Sequence, residues 1–153
     1  MRIVDFLRPE LVVPDLQERD KLGVLGALVR QMVDHVPGID GAQLLKVLVD
    51  RERLASTAIG EGVAIPHGKL PTISRLEACL GRSVEGVDFE SMDGRPTHVF
   101  FLLVAPDRST SEHLKALARI SRLFKDPQFR VRLLAAKSGP DLYKVIADED
   151  ARY

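Results

Sequence analysis

Apolar positions along this chain recur with two different periods. In "DLQERDKLGVLGALVRQMVDHV", Leu22, Leu25, Val29, Met32 and Val36 step by three and four, which predicts one face of a helix. Gly23 and Gly26 weaken that helix unless a neighbour packs closely on it. "VPGIDG" stops it through proline and glycine. A second helix is predicted over "AQLLKVLVDRERLAST", with Leu44, Leu45, Leu48 and Val49 inward. A third is predicted over "DRSTSEHLKALARISRLFK". Leu114, Leu117, Ile120 or Ser121, and Phe124 form its face, and Ser109 with Glu112 has the spacing of a capping box. "DPQFRVRLLAAKSG" restarts with Pro127 in a first turn and ends on Gly139; "PDLYKVIAD" is a last helix, and "EDARY" is expected to fray.

Between the helices the period shortens. "ELVVPDL" reads as a short extended piece ended by Pro14. In "RLEACLGRSVEGVDFE", Leu76, Ala78 and Leu80 alternate with Glu77 and Cys79, the pattern of a half-buried strand. "SMDGRP" is a turn signal. "THVFFLLVAP" is apolar almost throughout and predicts a central strand covered on both faces. This order of elements predicts an α/β fold: a single compact domain with a mixed β-sheet of about five strands, flanked by helices on both faces.

Composition narrows the function classes. A length of 153 residues suits one domain with a real core. Lys plus Arg equals Asp plus Glu at 22 each, so net charge gives no case for nucleic acid or an anionic membrane as main partner. The lone Cys79 excludes an internal disulfide and fits a reducing compartment. The N-terminus is no signal peptide, and no apolar run is long enough to span a bilayer, so a cytoplasmic protein is expected.

One stretch asks for chemistry: "ASTAIGEGVAIPHGKL", residues 55–70. Gly60 and Gly62 bracket Glu61 and permit backbone angles that other residues resist. "VAI" favours a buried strand, and Pro66 biases Ile65 to an extended shape. His67 therefore stands where a stiff strand ends, supported from behind, with no side chain on Gly68 in front. A lone histidine in a glycine-rich turn is ordinarily a polar turn residue, but such a turn needs neither a buried strand nor a proline clamp. His35, His98 and His113 lie too far away in sequence to form a compact zinc chelate with His67, and no Walker A loop or G-x-S-x-G is present. Cys79, among apolar neighbours, reads as inert packing. What remains is the imidazole of His67 as nucleophile or base.

"RERLASTAIGEGVAIPHGKL" closely resembles the active-site segment of the mannitol/fructose-type (type 2) enzyme IIA domains of the bacterial phosphotransferase system, and most of all the stand-alone nitrogen-regulatory IIA proteins. The resemblance continues through "VDFESMDGRPTHVFFLLVAP" and "SEHLKALARISRLFKDPQFRVRLLAA", which makes residues 1–153 one IIA domain. It implies a phosphoryl carrier with no cofactor and no metal. His67, in "AIPHG", is the acceptor; His113, in "SEHLKAL", stabilises the phosphate; Arg51, in "RE", supplies fixed charge. Ser56 and Thr57 either cap the loop or contact phosphate, and backbone N–H groups at Gly60, Gly62 and Gly68 are further phosphate candidates. Val63, Ile65 and Lys69 are expected at the docking surface. Without the resemblance, Arg51 reads as a solvated helix charge and His113 as a first-turn residue.

The chain departs from the family's S-T-G-I-G at Ala58, which replaces the first glycine; a positive φ there would cost about 1 kcal/mol. The implied donor is an HPr-type phosphocarrier. A chain of this length without a fused IIB or membrane segment favours a regulatory output, with a target protein downstream. A sugar-specific IIA component passing phosphate to a IIB domain is the alternative. A metal-dependent hydrolase built on His67 and His113, and an interaction module that has lost phosphorylation, are competing readings.

Overall fold

The computed structural model describes residues 1–153. It contains strands β1 (Val12–Val13), β2 (Ala58–Gly60), β3 (Val63–Ala64), β4 (His67–Leu70), β5 (Glu77–Val87) and β6 (Thr97–Pro106). Its helices are α1 (Lys21–His35), α2 (Gly41–Leu54), α3 (Thr110–Leu123), α4 (Pro127–Ala135) and α5 (Gly139–Asp150). Six strands form one mixed sheet in the order β1-β5-β6-β3-β2, and β4 also pairs with β6. The sixth strand is β4 itself, four residues of "HGKL" that carry no apolar alternation and were legible only as a turn.

β6 organises the sheet. Phe100 to Ala105 are completely buried, because β5 lies antiparallel on one side and β3 and β4 lie parallel on the other. Parallel strands covered on both faces need uniformly apolar sequence, and "VFFLLVA" supplies it. β5 is not half-buried as its alternation predicts: Glu77, Ala78, Cys79 and Leu80 are all enclosed. The polar members are paired inside. Glu77 receives Arg75 at 3.1 Å, and the Arg82 guanidinium donates to the carbonyls of Pro14, Leu133 and Ala136.

Strand alternation assigns the helices to faces. A Cβ on Gly81 would meet Leu28 of α1, and one on Gly68 would meet Val47 and Leu48 of α2. Arg82, on the other face of β5, reaches the end of α4. The sheet thus carries α1 and α2 on one side. His67 and Lys69, alternating with Gly68, look to the opposite side, where α3 lies.

Helix bounds follow from caps. Asp20 accepts from Gly23 N–H and starts α1 five residues later than "DLQERD" suggests; Leu22 is then exposed, and Val24 and Leu28 take the buried face. α2 stops at Leu54, so Ser56 and Thr57 belong to the following loop. Ser109 precedes α3 but makes no side-chain cap, so the expected capping box is absent; Leu114 is exposed and His113, Ala116, Ile120 and Leu123 face inward. Gly139 opens α5 rather than closing α4, because Ser138 caps α5. Nor does α5 fray at "ED": Glu149 and Asp150 are buried, with Arg132 and Arg152 on Glu149 and Arg119 on Asp150.

Candidate functional site

β4 runs parallel to β6 with His67 opposite Leu103, and Leu103 N–H donates to Pro66 C=O at 2.9 Å. α3 begins four residues after β6 ends, which returns His113 to the same region. The two imidazoles meet edge to face, ring centroids 5.6 Å apart and planes at 71°.

The tautomer of His67 follows from one contact. Its Nδ1 lies 2.7 Å from Ile65 C=O, and a carbonyl only accepts, so Nδ1 carries the proton. In the neutral ring the lone pair is then on Nε2, which has no protein hydrogen-bond partner. Burial lowers the proton affinity of His67; the Ile65 bond opposes this, Arg51 lowers it further and Glu52 raises it. His113 is buried, and its Nε2 has no protein partner. Burial first, then the neighbouring His67 and Lys69, push its pKa down to about 4. Both rings are neutral near pH 7.

Two cations flank the pair. Arg51, in the last turn of α2, donates from Nη1 to Ala55 C=O at 2.9 Å. Lys69 Nζ donates to Thr110 Oγ1 at 2.8 Å and ties β4 to the first turn of α3. That first turn has no side-chain cap, so the positive end of the α3 dipole is left free beside the imidazoles. Chemically, the arrangement offers a neutral nucleophilic nitrogen, a second imidazole and a positive rim, which suits transfer of an anionic group.

Residues 5–149 match the family model of the "Phosphoenolpyruvate-dependent sugar phosphotransferase system, EIIA 2". The chain belongs to this EIIA type 2 family. It is 40% identical over 147 residues to a nitrogen regulatory protein of Bradyrhizobium diazoefficiens, covering 96% of this chain and 95% of that one. It is 33% identical to the fructose-specific EIIABC component of Bacillus subtilis, spanning 98% of this chain but 24% of that longer protein. Among solved structures, nitrogen regulatory protein IIA-Ntr from Neisseria meningitidis superposes with a TM-score of 0.87 at 27% identity, over 94% of this chain and 98% of the other. The mannitol IIA of Escherichia coli shares the fold at a TM-score of 0.77 and 18% identity, over 91% and 97% of the two chains.

This EIIA domain gathers His67, His113, Arg51 and Lys69, and sets the other sequence candidates apart. Val63 and Ile65 are 2% and 3% exposed, so they are core residues of the sheet and supply no docking surface. Gly60 and Gly62, with φ of 90° and 78°, form the β2–β3 turn, whose Glu61 N–H is held by Asp93. Val63 pairs with Val99 but His67 with Leu103, which puts that turn roughly 13 Å along the sheet from the imidazoles and not on a phosphate. Gly68 has no positive φ; it admits Val47 of α2 against β4. The Ser56 hydroxyl donates to Phe89 C=O and accepts from Ala58 N–H. Thr57 gives both its N–H and its hydroxyl to Glu52. Ala58 is not at positive φ, so the replaced glycine leaves no strain.

Glu52 is the site residue that sequence reasoning missed. Within "RERL" it reads as the solvated partner of Arg51, yet it is 6% exposed and paired with Lys21 at 3.2 Å. Its distance of five residues from Thr57 was the available signal. No three His, Cys, Asp or Glu side chains converge anywhere in the chain, so the metal-hydrolase reading lacks a donor set. No helix is long and apolar enough to cross a membrane.

Proposed function

We propose that this chain is a phosphoryl carrier that accepts phosphate on His67 Nε2 from an HPr-type histidine phosphocarrier. The observation that carries this reading is the His67–Ile65 hydrogen bond, which commits the Nδ1 proton and leaves the Nε2 lone pair free beside a second, unpartnered imidazole. In the transfer, the Nε2 lone pair forms the new N–P bond as the donor's P–N bond breaks, and that electron pair returns to the donor imidazole. Positive charge developing on the His67 ring is stabilised by Ile65 C=O through Nδ1–H. The incoming group brings about −2 charge. Arg51, Lys69 and the uncapped start of α3 lower its cost, and His113 gains proton affinity beside the dianion and donates to it. No metal or cofactor has a role in these steps, and the chain turns over no small molecule alone.

The output we favour is regulatory: a target protein bound according to phosphorylation state. The support is similarity over nearly full length to a nitrogen regulatory protein. A sugar output is the second reading, since a fructose-specific EIIABC component is also similar and a mannitol IIA of this fold has been solved in complex with phosphorylated IIB. Either output places the chain in the cytoplasm with phosphoenolpyruvate and its carriers.

Incubation with phosphoenolpyruvate, enzyme I and an HPr-type carrier tests the reading. The wild-type chain is expected to acquire an acid-labile, base-stable phosphoryl group, and His67→Ala none. Equal labelling of His67→Ala ends the assignment. A chase with IIB separates the outputs, because rapid loss of label to IIB supports the sugar reading.

A further inference from the structure

A hydrogen-bonded chain runs from a buried carboxylate to the back of the His67 ring. Glu52 is held in α2, with its side chain 4% exposed, and receives Lys21 Nζ from α1 at 3.2 Å. Glu52 Oε1 accepts from Thr57 N–H at 3.0 Å, and Oε2 accepts from the Thr57 hydroxyl. The Thr57 carbonyl accepts from Ile65 N–H at 3.0 Å. The Ile65 carbonyl accepts from His67 Nδ1–H at 2.7 Å. Four residues from three parts of the chain are thus joined without a gap, and the ring lies at its end.

We propose that Glu52 is a positioning residue for His67, acting through Thr57 and Ile65 to fix the ring's orientation and its Nδ1–H tautomer. This rests on His67 being the phosphoryl acceptor. An imidazole on a short edge strand has no intrinsic reason to keep its proton on Nδ1; a carbonyl held at a set point supplies one. Ile65 C=O can serve only if the backbone at Ile65 and Pro66 does not drift. The sheet holds Pro66 through Leu103 N–H, but Ile65 itself lies between the end of β3 at Ala64 and the start of β4 at His67 and makes no bond to β6 there. The Thr57–Ile65 bond spans this gap from the side, and Glu52 grips Thr57 twice. The buried carboxylate is affordable there because Lys21 and two donors satisfy it. Lys21 also contacts Glu90 and lies over the Phe89 ring at 4.8 Å, and Ser56 donates to Phe89 C=O, so the same anchor fixes both ends of the 55–57 loop.

The test compares wild type with Glu52→Gln, Thr57→Val and Thr57→Ser. Ring ¹⁵N NMR of the unphosphorylated protein reads the His67 tautomer without any transfer reaction. Wild type and Thr57→Ser are expected to show Nδ1–H alone, and Glu52→Gln and Thr57→Val a mixture. Phosphoryl transfer from the HPr-type carrier is expected to fall about tenfold in kcat in those two variants with KM for the carrier unchanged, the scale for losing an orienting bond behind a functional imidazole. The Glu52→Gln/Thr57→Val double variant is expected to lose no more than either single one, because both cut the same chain. A pure Nδ1–H tautomer with wild-type kcat in Thr57→Val overturns the proposal, even where its Tm is lower. If Glu52→Gln does not fold, Thr57→Val and its serine counterpart decide. Tautomer mixtures in Glu52→Gln and Thr57→Val, together with a wild-type chain that takes no label, keep the positioning chain and remove the carrier function.

Discussion

His113 faces His67 edge-on at 5.6 Å, with one ring nitrogen buried and unpartnered. That placement separates the roles of two chemically identical groups. His67 is half-buried and hydrogen-bonded from behind, whereas His113 is enclosed in the first turn of α3. Replacing His113 is therefore expected to slow labelling without abolishing it. His113→Ala should lose at least about tenfold in transfer rate, and His113→Gln, which keeps an N–H donor, should lose less. Rapid-quench labelling from the phosphocarrier measures both; an unlabelled His113→Ala would make His113 the acceptor or an obligatory relay.

The same burial predicts a pH dependence of stability. Folding lowers the His113 pKa from 6.5 to about 4, so between those values the unfolded state holds more protons than the folded one. Stability from this group is complete above the unfolded value and is lost as pH falls toward the folded one. His67, lowered for the same main reason, adds in the same direction. Urea unfolding at pH 7 and pH 4.5 should show this loss in wild type and a smaller one in His113→Gln. Identical losses would mean that other groups cause the acid sensitivity.

Arg51 acts on the site by charge and by geometry. Its guanidinium holds Ala55 C=O and depresses the proton affinity of His67. Arg51→Ala is expected to raise the His67 pKa in an NMR titration and to weaken transfer. Arg51→Lys should restore most of the pKa but leave transfer down about tenfold, since a point charge cannot bond the loop and the phosphoryl group in the same fork. A His67 titration unchanged in Arg51→Ala would remove Arg51 from the site.

The long elements and the prominent placement of His67 were legible in the sequence because each rests on a strong local signal. β6 is a continuous apolar run, α2 repeats Leu44 and Leu48 on one face, and His67 is bracketed by a strand, a proline and a glycine. β4 was not legible, because "HGKL" becomes a strand only when β6 is beside it. The two buried faces of β5 were hidden because Glu77 and Arg82 look solvated until the fold brings Arg8 to Glu77, beside the neighbouring Arg75, and the Leu133 carbonyl to Arg82. Nearness to His67 in sequence points Val63 and Ile65 to the surface but says nothing about what covers a side chain: Val63 shares the sheet face of His67 and is nevertheless enclosed, as is Ile65. Glu52 was hidden for the same reason as Glu77: its partners, Lys21 and Thr57, come from other segments.

Gly68 looks like a phosphate-binding glycine in the sequence, but the structure gives it a packing role. A Cβ there would lie 2.5 Å from Val47 Cγ1, too close for either atom to stay in place. Gly68→Ala is expected to cost about 1–3 kcal/mol by pushing α2 off β4. Val47→Ala in the same chain should recover much of that, by making room where the methyl would sit. Chemical denaturation of the two single variants and the double variant measures the coupling, and strict additivity would show that Gly68 is needed for some reason other than Val47.

Ala58 gives the opposite expectation from its place in the motif. The position starts β2, pairs with Ala64 and has no positive φ, so glycine would gain no conformational freedom that the fold uses. Ala58→Gly should instead lose about 0.5–1 kcal/mol, through greater freedom of the unfolded chain and loss of a methyl group packed in the core. Its Ser56 contact is made by the backbone N–H, which glycine retains, so the loop and the His67 imidazole should be unaffected. Thermal unfolding combined with the labelling assay checks both halves. A more stable Ala58→Gly would mean that alanine strains this loop, and the geometry of the 55–60 segment described above would then be wrong.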